Sequence, residues 1–197
     1  MKILYAATDT IAVPLLEALA SRNLVRAVFT APDAPGKRGK TLLPTPIKAK
    51  ALELGLEVYT PQHLRTEERK LVRQLGADVL LSFCYGKIFG PKFLSLFKET
   101  FNVHPSLLPK YRGCSPIFGA IRNGDSSTAI SVQRIAEGID EGDIYSTLSL
   151  ELDGTETVES LENRVASLAP QLVLDTLNNL DSISPRPQKG EATYTGF

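Results

Sequence analysis

The chain has 197 residues, 43% of them apolar, and equal numbers of basic and acidic side chains, 22 of each. That suits one α/β domain with a sizeable core plus a tail. No membrane contact is expected, because the apolar start from Lys2 to Ala7 is too short for a span and does not resemble a signal peptide. Zero net charge hides an asymmetry: residues 1–100 carry 15 basic and 9 acidic groups, the remainder 7 and 13. A polyanionic partner would therefore approach the first half, and the setting implied is cytoplasmic.

Along the first half, apolar runs alternate with amphipathic stretches, as in βαβ units around a parallel sheet. The first strand is predicted from Lys2 to Ala7 and the first helix from Val13 to Ala20. The turn between them, Ala7-Thr8-Asp9-Thr10-Ile11-Ala12, is not G-x-G-x-x-G, which counts against a dehydrogenase. Thr8 or Asp9 is expected to cap the helix.

A second strand follows from Arg26 to Thr30, and then a connection to Pro46 that is far longer than most βα loops. Lys37, Arg38 and Lys40 sit at its glycine-flanked tip, where they could grip backbone phosphates without reading bases. A solvated surface loop is the alternative. Beyond it come a helix from Pro46 to Leu54, a strand from Glu57 to Tyr59, a helix from Glu67 to Leu75 and a strand from Val79 to Phe83. Cys84 reads as buried in that last strand. A helix from Pro91 to Phe97 leads to the strand Thr100 to His104.

Asn102-Val103-His104-Pro105 ends this strand. Side chains two apart on a strand share a face, so Asn102 and His104 point one way while Phe101 and Val103 pack on the other. Pro105 has no N–H for a central ladder, which leaves the polar pair at the carboxyl end, where open α/β sheets bind ligands. Later, Glu137-Gly138-Ile139-Asp140-Glu141-Gly142-Asp143 forms a glycine-punctuated acidic loop able to return a carboxylate to the imidazole. Such a partner fixes the tautomer and raises the pKa, so His104 is expected to be cationic or poised near neutrality.

Past the site a helix is predicted from Pro116 to Asn123, with strands from Thr128 to Ile135 and Ile144 to Leu150, one of them antiparallel because no crossover fits between them. Leu161, Val165, Leu168 and Leu172 mark a long helix from Thr157 to Leu180, which Pro170 should kink or split. Cys84 and Cys114 have no metal-ligand spacing, and no metal is expected. Cys114, in a loop near the site, is a minor nucleophile candidate.

Several of these segments resemble one family. Asn102-Val103-His104, Ser106-Leu107-Leu108-Pro109-Lys110-Tyr111-Arg112-Gly113 and Gly138-Ile139-Asp140-Glu141-Gly142-Asp143 resemble the catalytic and folate-binding segments of formyltransferases that use 10-formyltetrahydrofolate. The long loop, with Pro32-Asp33, Gly36-Lys37-Arg38-Gly39-Lys40 and Pro44-Thr45-Pro46-Ile47-Lys48, is similar to that of methionyl-tRNA formyltransferases.

The resemblance implies a Rossmann-like, doubly wound, mostly parallel sheet with helices on both faces and one antiparallel strand. It implies catalytic roles for Asn102, His104 and Asp140, with a protonated His104 helping Asn102 to stabilise the formyl oxygen. Folate contacts would come from Lys87, Ile88 and Phe89, from Ser106, Leu107, Leu108 and Pro109, and from Ala136, Glu137, Gly138 and Ile139. Ordinary core packing is the alternative for Ile88 and Phe89. Initiator methionyl-tRNA would be the acceptor, gripped by Lys37, Arg38 and Lys40; a small amine such as an amino sugar or glycinamide ribonucleotide, or water, is the alternative. A monomer without membrane contact is implied.

The chain departs from the pattern at Ala7, usually Gly, and at Asp9-Thr10-Ile11, Phe118-Gly119 and Glu141. The resemblance also implies a second, β-barrel domain, which is expected to be absent from these 197 residues, as in an isolated catalytic domain or a naturally short form. Residues 1–180 would form the catalytic domain, and residues 181–197 the start of a linker.

Overall fold

The computed structural model describes residues 1–196. Two compact units divide the chain after Thr100.

The first unit is built on four parallel strands, β1 (Ile3–Ala7), β2 (Val25–Phe29), β5 (Val58–Tyr59) and β6 (Val79–Phe83), in the order β6-β1-β2-β5. All five β1 residues are buried, as a central parallel strand requires. Burying each large side chain there contributes about 1.5–3 kcal/mol before chain entropy is subtracted. Between the strands run α1 (Val13–Ser21), α2 (Pro46–Glu53), α3 (Thr66–Leu75) and, after β6, the short α4 (Pro91–Leu94). Helix α3 opens with the Glu68 carboxylate accepting from the Arg65 N–H at 3.0 Å and ends at Gly76 in the left-handed region, φ 70°.

Four expectations change here. Neither Thr8 nor Asp9 caps α1: Asp9 precedes a 3₁₀ turn from Thr10 to Ala12 without a side-chain capping bond, and the Thr8 hydroxyl donates to the Tyr85 carbonyl. Helix α4 stops at Leu94, after which Leu96 and Phe97 close tighter i+3 turns. Cys84 lies just past β6 and half-buried, with φ 52°. The long loop also contains a small antiparallel ladder, β3 (Ala34–Pro35) with β4 (Leu42–Leu43).

The second unit holds β7 (Glu99–His104, entering from the first), β8 (Arg112–Gly113), α5 (Pro116–Arg122), β9 (Ser127–Gln133), β10 (Ile144–Glu151), α6 (Val158–Asn178) and β11 (Tyr194–Thr195). Strand β9 is antiparallel to both β7 and β10, so the α/β arrangement is Rossmann-like with one reversed strand. Helix α6 begins with a Thr157 cap whose hydroxyl accepts from the Ser160 N–H. It runs unbroken through Pro170, so the expected split does not occur. The buried stripe is Leu161, Val165, Ala169, Val173 and Leu177, a step of four that leaves Leu168 exposed rather than in the core.

Candidate active site

The β7–β9 register builds the polar face. Asn102 lies opposite Gln133 and His104 opposite Ser131. Opposed residues of an antiparallel pair share a face, so these four side chains stand on one side while Val103 and Val132 stand on the other. On that other side Phe101 packs against Tyr145, with ring centroids 4.8 Å apart.

The β9–β10 connection returns Asp140 to this face. Its Oδ2 lies 3.6 Å from His104 Nδ1. Gly113 N–H donates to the same oxygen at 2.8 Å, and Gln133 Nε2 donates to Oδ1 at 2.9 Å. Gln133 also accepts the Gly142 N–H through Oε1 at 3.2 Å, so one buried amide holds both the carboxylate and its loop. Gly142 has no room for a side chain, because a Cβ there would overlap the Arg134 carbonyl. Asp140 itself is left-handed, φ 54°, a conformation that Asp tolerates better than most residues.

The other imidazole nitrogen is equally fixed. His104 Nε2 lies 2.8 Å from the Tyr111 carbonyl, which can only accept, so Nε2 carries a proton. Tyr111 is pinned in turn: its hydroxyl donates to Asp125 at 2.6 Å and accepts from Asn123 at 2.9 Å. With Nε2 protonated, a neutral ring presents its Nδ1 lone pair to the carboxylate.

The expected upward shift of His104 is reversed. Burial of the ring pushes its pKa below the ordinary value of 6.5; the Asp140 charge and the Tyr111 carbonyl oppose this without overcoming it. Burial thus favours the neutral form of the resting imidazole.

Asn102 is half-buried, and its side-chain amide has no hydrogen-bond partner among the described residues. Its donors are free for a ligand. Of the other expected contacts, Ser106 is fully buried and its hydroxyl donates to the Lys110 carbonyl. Leu108 and Pro109 are buried, and Leu107 is exposed. Ala136, Glu137 and Ile139 are also exposed, with Gly138 half-buried.

In the first unit Ile88 is 73% exposed, whereas Phe89 is buried in a row of rings between Tyr85 and Phe93. Lys87 donates to the Gln62 carbonyl. Lys37, Arg38 and Lys40 are all exposed at the tip beyond β3 and β4. The base of that loop is fastened by a 2.7 Å hydrogen bond between the Thr30 and Thr45 hydroxyls and by the Lys48–Asp33 ion pair at 2.9 Å.

Sequence reasoning missed Gln133 and Gln188, and it placed Tyr111 and Gly113 in a family segment without giving either a role. Gln133 was legible only through the strand register, since its polarity on a buried strand matters once it faces Asn102. Gln188 lies in the segment read as linker. Its amide nevertheless donates to the Asp140 and Gly142 carbonyls at 2.7 and 2.8 Å.

A family model described as "Formyl transferase" matches residues 1–177. The methionyl-tRNA formyltransferase of Francisella philomiragia is 38% identical over 98% of this chain, and that of Borreliella burgdorferi is 39% identical over all of it. The chain spans 64% of the length of each. Among solved structures, phosphoribosylglycinamide formyltransferase from Streptococcus pneumoniae superposes with a TM-score of 0.74 at 19% identity, covering 92% of this chain and 98% of that one. Methionyl-tRNA formyltransferase from Clostridium thermocellum gives 0.68 at 20% identity, covering 99% and 71%. These two likenesses concern the fold alone.

Proposed function

The chain belongs to the formyl transferase family, and on that premise we propose that it transfers a formyl group from 10-formyltetrahydrofolate to the α-amino group of initiator methionyl-tRNA in the cytoplasm. The observation that carries this reading is the unpartnered Asn102 amide on the same strand face as the His104–Asp140 pair. The choice of acceptor is supported by relatives of that name at 38–39% identity and by the exposed basic tip.

The neutral amine attacks the formyl carbon, forming a C–N bond and a tetrahedral intermediate. Negative charge grows on the formyl oxygen, where the Asn102 amide donates a hydrogen bond; one such donor is worth about 3 kcal/mol. The amine then loses a proton. His104 Nδ1, neutral at rest and facing Asp140, accepts it directly or through water, and the resulting imidazolium is stabilised by the carboxylate and by the Tyr111 carbonyl. Collapse breaks the bond to the donor nitrogen, which takes the proton, and tetrahydrofolate leaves. No covalent enzyme intermediate is needed.

An α-amino group has a pKa of about 7.7–8.0, lowered further when its carboxylate is esterified, so a weak base suffices. Positioning is the larger task.

The exposed Leu107 and Ile139 and the backbone of residues 136–139 fit a pterin, which needs apolar walls and a few polar groups at its rim. Ser106, Leu108 and Pro109 shape that segment from beneath. Lys87, Ile88 and Phe89 are proposed as further folate contacts; the burial of Phe89 in its ring row suits support of Ile88 rather than direct contact. Lys37, Arg38 and Lys40 are proposed to grip tRNA phosphates.

The test is turnover with 10-formyltetrahydrofolate and three acceptors: charged initiator tRNA, an amino sugar and water. Preference for the tRNA supports the proposal. Faster transfer to the sugar or to water would overturn it.

A further inference from the structure

We propose that Gln188 is a positioning residue for Asp140 and that the segment carrying it straps the site. The catalytic consequence rests on the formyl-transfer reading above. The geometry does not depend on that reading.

Gln188 is saturated. Both its N–H groups go to the acidic loop, at the Asp140 and Gly142 carbonyls, while Oε1 accepts from Arg112 Nε at 3.3 Å and Nη2 at 2.9 Å. Arg112 precedes Gly113, whose N–H donates to the Asp140 carboxylate. One amide thus ties the loop that carries the carboxylate to the strand that hydrogen-bonds it. A carboxylate of the same shape could keep Arg112 but has no donor for the two carbonyls.

The same segment also reaches the other side of the imidazole. Strand β11 runs parallel to β8, the Thr193 hydroxyl accepts from the Tyr111 N–H at 2.8 Å, and Thr193 exchanges backbone bonds with Pro109 and Arg112. Tyr111 is the residue whose carbonyl holds His104 Nε2. Both Asp140 and Tyr111 have positive φ, 54° and 56°. Backbone of that kind persists where its surroundings over-determine it, and the strap supplies that constraint.

The experiment compares Gln188→Ala and Gln188→Glu in the full chain, reading kcat, the KM for each substrate and the exchange rate of the Gly113 amide proton by NMR. Both variants should lose up to about 100-fold in kcat, as expected for a misplacement of about 1 Å, with KM little changed. Gly113 exchange should quicken about tenfold or more as its acceptor loosens. The near-isosteric Gln188→Glu guards against a variant that merely fails to fold. Wild-type kcat in Gln188→Glu would overturn the proposal, because the loop would then need no donor from the strap. If the unvaried chain transfers no formyl group, the function reading fails, and Gly113 exchange alone decides the strap: faster exchange supports it and unchanged exchange overturns it.

Discussion

The face around His104 and the tip around Arg38 carry charge in opposite ways. His104 is 4% exposed and both its nitrogens face named acceptors, while each oxygen of its carboxylate partner receives an N–H. Lys37, Arg38 and Lys40 stand in solvent, and the hydroxyl pair and ion pair that secure their loop lie at its base. Preorganised chemistry needs dipoles that cannot relax, which calls for burial and many partners. Attraction of a polyanion needs only accessible charge, and salt weakens it.

The sharpest way to break this contrast is to remove the buried groups. His104→Ala and Asp140→Asn should each lower kcat by about 10²–10⁴-fold in a formyl-transfer assay, with the fold intact by circular dichroism. Full activity in both would move the chemistry elsewhere. Next in size is Gly142→Ala, whose methyl would overlap the Arg134 carbonyl. It should destabilise the chain by about 1–3 kcal/mol in urea unfolding, and lower kcat as well because the loop carries Asp140.

At the tip, replacing Lys37, Arg38 and Lys40 together by Ala should raise the KM for tRNA about tenfold at low salt. It should also reduce the salt dependence by about one unit of slope for each phosphate no longer neutralised. Transfer to a small amine should not change. An unaltered salt slope would leave the tip as ordinary surface.

The smallest effect concerns acid stability. Burial lowers the His104 pKa in the folded chain, so the folded state binds fewer protons than the unfolded one. The resulting contribution is fully present above 6.5 and is lost as pH falls through the folded value. His104→Asn should therefore flatten the decline in urea midpoint on acidification. Charges at the exposed tip should leave that decline unchanged.

Much of the fold was legible because its signals are local. Apolar runs gave the strands, and Pro105 marks a strand end that the structure keeps. The alternation of Asn102 and His104 was readable for the same reason. What stayed hidden depends on pairing: Gln133 matters because it faces Asn102, and Gln188 because it meets a loop 48 residues earlier. The direction of the His104 shift was hidden because a sequence names the partner carboxylate but not the depth of burial, and here burial outweighs the partner. Pro170 does not split its helix, because a buried stripe on both sides of it holds the two halves in line and compensates for one missing backbone bond.

The segment joining β9 to β10 is at once the hairpin link that sets which faces meet and the arm that delivers the carboxylate. Surface connections usually accept added residues freely. This one has little such latitude, since an extra residue would carry Asp140 away from the Gly113 and Gln133 donors that hold its carboxylate. Length variation among natural versions of this chain should accordingly gather at other turns.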